Sequence, residues 1–218
     1  MTVTINPGMT GAEMMDEVVD ATSLDTTNVT EHSARVLRRL NLAQSIMFNA
    51  GDWEDLRVNN TTITSTGAGS YNLKTLISDF GRIKNRSVRC GTKYLVPVTK
   101  DLIDEKDPDG TRSGTPQEYA VAGNELFTYP KATSGLVITL DYIKMPTKIE
   151  SGTLAADISF YPEHHTFIVD GAISLTSNRQ KRTDWKIAID DFRKAMKREA
   201  ARGGKYRASP KQITRREF

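Results

Sequence analysis

Hydrophobic positions change period twice along the chain. Val36, Leu40, Ala43, Met47 and Ala50 recur at i, i+4, i+7, i+11 and i+14, which predicts a long amphipathic helix with Arg35, Arg38 and Arg39 mostly on its other side. Gly51 follows as a C-terminal stop. Upstream, Thr10-Gly-Ala-Glu13 fits a capping box, and Met14, Met15, Val18 and Val19 extend it into a short helix to about Ala21. Asn28-Val-Thr-Glu31 is a second capping signal. From Asn59 to Thr66 the period falls to two and β-branched residues dominate, the mark of a strand. Ser70 to Leu73, Arg82 to Arg89 and Lys93 to Val98 are further strand candidates, and Lys100 to Asp107 a helical turn closed by Asp107-Pro-Asp-Gly110. Glu118 to Val121 and Glu125 to Tyr129 flank Gly123-Asn124 as a hairpin. Leu136 to Lys144 alternates Ile138, Leu140 and Tyr142 against Val137, Thr139 and Asp141, a half-buried strand.

After a loop over Glu150 to Ser159 the helical period returns. Pro162 suits a first helical position, where its missing amide costs nothing, and Phe167, Ile168, Ala172 and Leu175 form an apolar face. Thr183 caps a last helix with the stripe Trp185, Ile189, Phe192 and Met196, which Gly203-Gly204 is predicted to break. Trp53 and Trp185 read as core anchors between the helices and the strands, and Tyr119, Phe127, Tyr129 and Tyr142 as core or interface residues of the sheet. The fold class is α+β. A helical bundle forms from residues 1–56 and 146–204, an antiparallel β region (57–145) is inserted between its halves, and 205–218 is an extended C-terminal docking tail.

Composition narrows the function classes. The 218 residues suit one domain or two modest ones. The single cysteine, Cys90, rules out an intrachain disulfide and a cysteine zinc cage. Met1 to Thr10 lacks the basic and apolar regions of a signal peptide, and no apolar run approaches the roughly 20 residues that span a bilayer. A soluble intracellular or virion-type protein is expected. The net charge of +3 conceals an asymmetry: from Arg179 to Phe218 there are 14 Lys or Arg against 5 Asp or Glu, a net +9, which leaves −6 on the preceding residues. Such an arm reads as a docking segment for an anionic partner, protein or nucleic acid.

Reactive chemistry finds little support. Glu163-His164-His165 is the only histidine pair, but adjacent helical side chains point about 100° apart and do not converge on a metal. The expectation there is a polar first turn. Cys90 lacks a neighbouring histidine or a glycine elbow, and Gly67-Ala-Gly69 lacks the third glycine and the following helix of a dinucleotide site. Asp101, Asp104, Glu105, Asp107 and Asp109 could collect a cation but lack the spaced ladder of a calcium loop, and are read as exposed. No catalytic residue, metal or cofactor is expected.

Dispersed segments resemble the head-to-tail adaptor proteins of tailed bacteriophages, including tail-tubular or gatekeeper adaptors. They are Asn49-Ala-Gly-Asp-Trp53-Glu-Asp-Leu56, Ser70-Tyr71-Asn-Leu73 followed by Asp79-Phe80-Gly-Arg82-Ile83, and Pro116-Gln-Glu-Tyr119 with Gly123-Asn124-Glu-Leu126-Phe127-Thr-Tyr129-Pro130. Tyr142-Ile-Lys-Met-Pro146 and Phe160-Tyr161-Pro162-Glu163 with Val169-Asp-Gly-Ala172 complete the pattern. The resemblance implies a structural protein, not an enzyme: a homo-oligomeric ring, a dodecamer, bound beneath the portal at the head-tail junction of the virion and assembled in the host cytoplasm. Genomic DNA would pass through its lumen and a downstream tail, stopper or nozzle protein would follow. It further implies that the C-terminal tail docks on the portal, with Arg207, Lys211, Ile213, Arg215, Arg216 and Phe218 as portal-binding residues. The rival readings are a nucleic-acid-binding module using the basic C-terminal helix and tail and, behind it, an enzyme such as a cell-wall hydrolase.

Overall fold

The computed structural model describes residues 8–22, 29–84, 86–180 and 185–206. The chain begins with helices α1 (Gly11–Thr22) and α2 (Val29–Ala50). Strand β1 (Arg57–Thr64), β2 (Ser70–Asn72), the short helix α3 (Leu73–Leu76) and β3 (Phe80–Ile83) follow, then β4 (Arg89–Cys90), β5 (Lys93–Tyr94) and β6 (Val96–Pro97). Helix α4 (Lys100–Lys106) precedes β7 (Ser113–Gly114), β8 (Glu118–Ala122), β9 (Glu125–Tyr129), β10 (Lys131–Ala132) and β11 (Val137–Lys144). Helices α5 (His165–Gln180) and α6 (Trp185–Tyr206) close the chain. It divides into two compact units, one of Met1–Asp55 with Pro146–Phe218 and one of Leu56–Met145.

In the helical unit α1 starts where its capping box places it. The Glu13 amide donates to Thr10 Oγ1 at 3.2 Å, and the Thr10 amide donates to Glu13 Oε2 at 2.7 Å. The α2 stripe of Val36, Leu40, Ala43 and Met47 is buried. It faces α5, which also packs against α1 and α6. A helix with three helical neighbours must be apolar or small on several sides, and α5 buries Ile168, Val169, Ala172 and Leu175. Gly171 sets the spacing: a Cβ there would lie 2.5 Å from Phe192 Cζ of α6 and 3.0 Å from Ala43 Cβ of α2. The return segment is tied to α2 by Asn41, whose Nδ2 donates to the Ile149 carbonyl and whose Oδ1 accepts the Ile149 amide, both at 2.9 Å. Gly11 is a second close approach, its absent Cβ falling 1.9 Å from the Glu150 carbonyl oxygen.

The strand unit holds two larger sheets, ordered β1-β11-β4-β5 with β3 also on β11, and β2-β9-β8-β6. Antiparallel ladders dominate, while β6 with β8 and β7 with β10 pair in parallel. Pro97 in β6 fits an edge position, where its missing amide interrupts no ladder. Ile63, Tyr71, Leu73, Phe80, Val88, Leu126, Ile138 and Leu140 form one core. Gly123-Asn124 makes the two-residue turn between β8 and β9, with Gly123 at φ +61°.

Four readings need correction. Helix α6 runs through Gly203-Gly204 to Tyr206, so Lys205 and Tyr206 are helical and not part of an extended tail. Two glycines cost about 1–2 kcal/mol together, which a long helix tolerates when no proline intervenes before Pro210. β11 is central rather than half-buried: Thr139 and Ile143 are buried along with Ile138, Leu140 and Tyr142. Arg82 to Arg89 breaks into β3 and β4, both on β11, because the turn closed by Ser87 on the Lys84 carbonyl interrupts the ladder, and Lys93 to Val98 breaks because β5 pairs with β4 and β6 with β8. Leu73, placed at the end of a strand, instead opens α3, whose cap is Asn72 Oδ1 accepting the Thr75 amide at 3.1 Å. Asn28 and Thr183, expected as caps, lie outside the described residues.

Two expectations follow. Gly171→Ala forces α5 from its neighbours and lowers stability by about 1–3 kcal/mol, read from urea unfolding. Tyr142 donates to Asp79 Oδ1 at 2.6 Å, and burial, reinforced by that carboxylate, raises its phenol above the ordinary value. A raised folded value means that this contribution is complete below about pH 10 and is lost as pH climbs through the folded value. Wild-type stability should therefore fall at alkaline pH by a component that Tyr142→Phe removes; identical alkaline profiles would refute the linkage.

Candidate functional site

The six residues expected to bind the portal, Arg207, Lys211, Ile213, Arg215, Arg216 and Phe218, lie outside the described residues. Helix α6 leads into them. Met196 is buried and Phe192 half-buried, and Phe192 anchors the helix at Gly171. On the exposed side Arg193 reaches Asp190 at 3.5 Å and Lys194 reaches Asp191 at 3.4 Å. Such exposed pairs are each worth well under about 1 kcal/mol. One turn on, Lys197 and Arg198 are exposed and have no ion-pair partner among the described residues. Their charge continues the basic character of the segment that follows.

Two segments singled out in the sequence meet at the base of this unit. Asp55, its side chain 3% exposed, accepts the Tyr161 amide at 2.9 Å and bonds His164 Nδ1. Trp53 donates its indole N–H to the Met47 carbonyl at 2.6 Å and meets Phe160 edge-to-face, ring centroids 5.7 Å apart. His165 is fully buried: its Nδ1 accepts the Met9 amide at 2.9 Å, so Nε2 carries the proton and donates to the Phe160 carbonyl at 3.0 Å. The histidine pair is thus no merely polar first turn. Each ring holds a different stretch of chain, and the partner of His165 Nδ1 is the Met9 amide from the far end of the sequence, which local spacing cannot show.

The strand unit presents a groove of about 670 Å³ that the sequence did not single out. Its floor is built around Asp141 of β11. Asp141 accepts Arg57 Nη2 at 3.1 Å and the Asn60 amide at 3.0 Å, which holds the β1 bulge with Asn60 at φ +58°. The turn carrying Lys84 and Arg86 is pinned to the same strand, since the Lys84 amide donates to the Asp141 carbonyl at 3.0 Å and Ser87 Oγ bridges the two. Arg86, at φ +58°, donates its amide to Tyr119 Oη at 3.2 Å. Burial raises that phenol above its usual value, so it stays an O–H. Between β5 and β6, Leu95 points inward at 2% exposure while Tyr94 and Val96 face outward at 61% and 57%. The strand reading of Lys93 to Val98 was the available signal, but only the pairing shows which side chains lie open.

Among the described residues no group of three His, Cys, Asp or Glu is placed to share a metal ion. The acidic stretch is engaged locally: Asp104 pairs with Lys100, and Asp107 accepts the Thr111 and Arg112 amides at 3.1 and 3.0 Å. Cys90 is buried in the sheet.

Residues 9–215 match the family model described as SU10 adaptor protein. No curated protein matches the chain. Asp55→Ala should cost about 1–3 kcal/mol, because it leaves the Tyr161 amide without its acceptor. Denaturant unfolding measures this, and a loss below about 0.5 kcal/mol would show that water replaces the carboxylate.

Proposed function

The chain belongs to the SU10 adaptor protein family, the adaptors of the phage head-to-tail junction, and from that premise we propose that it is a ring subunit joining the portal to the tail. Membership implies a virion component that meets portal and tail proteins and oligomerises. The finer reading is a dodecamer beneath the portal, assembled in the host cytoplasm, with genomic DNA passing through the lumen and a tail, stopper or nozzle protein below. The family match over 9–215 carries this reading, and the +9 arm from Arg179 to Phe218 supports it.

The arm is assigned to the portal on physical grounds. Burying Ile213 and Phe218 against the portal returns about 3–6 kcal/mol. Arg207, Arg215 and Arg216 add guanidinium forks that suit bidentate pairing with acidic portal side chains, and Lys211 adds an ammonium point charge. The partner surface should therefore be acidic, with two apolar sockets.

The test mixes purified portal protein with the full chain and with a chain truncated after Tyr206, the last described helical residue. The full chain should bind and the truncation should lose binding at least about 100-fold. Equal binding by both would remove the tail from the docking role.

A further inference from the structure

In the strand unit two exposed surfaces on the same chain complement each other. The groove has cationic walls at Lys84 and Arg86, and an apolar rim at Tyr94 and Val96. Lys84 and Arg86 have no ion-pair partner among the described residues. The second surface is the outer face of α4. Asp101 and Glu105 lie one turn apart and exposed, with Leu102, 36% exposed, between them. The opposite face is already occupied: Ile103 is buried, Lys106 binds Glu118 at 2.7 Å, and Lys100 lies over the Phe127 ring at 4.7 Å. The free face thus carries two anions beside an apolar side chain, and the groove carries two cations beside an apolar rim.

We propose that α4 of one copy seats in the groove of the next, with Asp101 and Glu105 against Lys84 and Arg86, and Leu102 against Tyr94 and Val96. The proposal rests on the ring reading and supplies one of its subunit contacts. Because groove and helix are different surfaces, the contact is heterologous and repeats from copy to copy, closing into a ring when the rotation allows. The apolar rim and the fixed Arg57–Asp141 pair favour a protein segment over a phosphate backbone, which takes cations without an apolar counterpart.

The experiment is a charge swap in the full chain, read by sedimentation velocity alone and in the presence of portal. One variant carries Lys84→Glu and Arg86→Glu, another Asp101→Lys and Glu105→Lys. Either variant alone should self-associate at least about tenfold more weakly than wild type, since like charges now face each other. An equimolar mixture should recover assembly, as should the variant carrying all four changes. Recovery in the mixture also shows that both chains fold. Wild-type self-association in both variants, or no recovery on mixing, overturns the contact while leaving portal binding by the tail intact as the separate test of the ring-adaptor reading. Groove reversal that abolishes duplex DNA retention without changing self-association also overturns it, in favour of a phosphate ligand. A wild-type chain that binds portal but stays monomeric overturns both the contact and the ring.

Discussion

The approach of α6 to α5 at Gly171 is the constraint on which the helical unit depends. No side chain larger than hydrogen fits between Phe192, Ala43 and the α5 backbone. That contact fixes α6 against a helix already bounded by α1 and α2. It also fixes the root of the basic segment, because α6 leads directly into it. The same economy of space recurs at Gly11, where α1 lies against the Glu150 carbonyl and its amide donates to Thr153 at 2.8 Å. Asp55, His164 and His165 then hold the chain that opens α5.

In the strand unit the corresponding role belongs to β11, which pairs with β1, β3 and β4. Asp141 sits where three demands coincide: it neutralises Arg57, closes the β1 bulge and anchors the turn that carries Lys84 and Arg86. A partly buried carboxylate with a cation and a backbone donor is adequately satisfied. The groove follows from this arrangement. Its cations stand on a turn tied to the Asp141 carbonyl and to Tyr119 Oη, and its apolar rim is Tyr94 of β5 and Val96 of β6 on either side of the buried Leu95.

Both units therefore combine a densely packed interior with exposed charge arranged beside exposed apolar side chains. That combination suits a phage structural adaptor, whose chemistry is recognition. The −6 body and the +9 arm take on physical content: exposed acids on α4 and exposed cations on α6 lie in different units of one chain.

The α+β class was legible in the sequence, and so were several of its parts. The α2 stripe, the Thr10–Glu13 box, the Gly123-Asn124 hairpin and the opening turn at Pro162 all rest on interactions within about four residues, and periodicity records these directly. The resemblance segments also pointed to the family. What the sequence could not show were the partners. Local pattern read His165 as polar, yet the fold buries it between Met9 and Phe160. Alternation implied one open face on β11, but strands on both of its edges and cover over Thr139 and Ile143 made it central. The Gly203-Gly204 pair looked like a stop, yet α6 runs on to Tyr206. The sequence by itself determined where α1 begins and where β8 turns into β9, because caps and turns are short-range. Only the tertiary structure decided which of their faces are buried and which remain open to a partner, because burial depends on what residues a hundred positions away bring alongside.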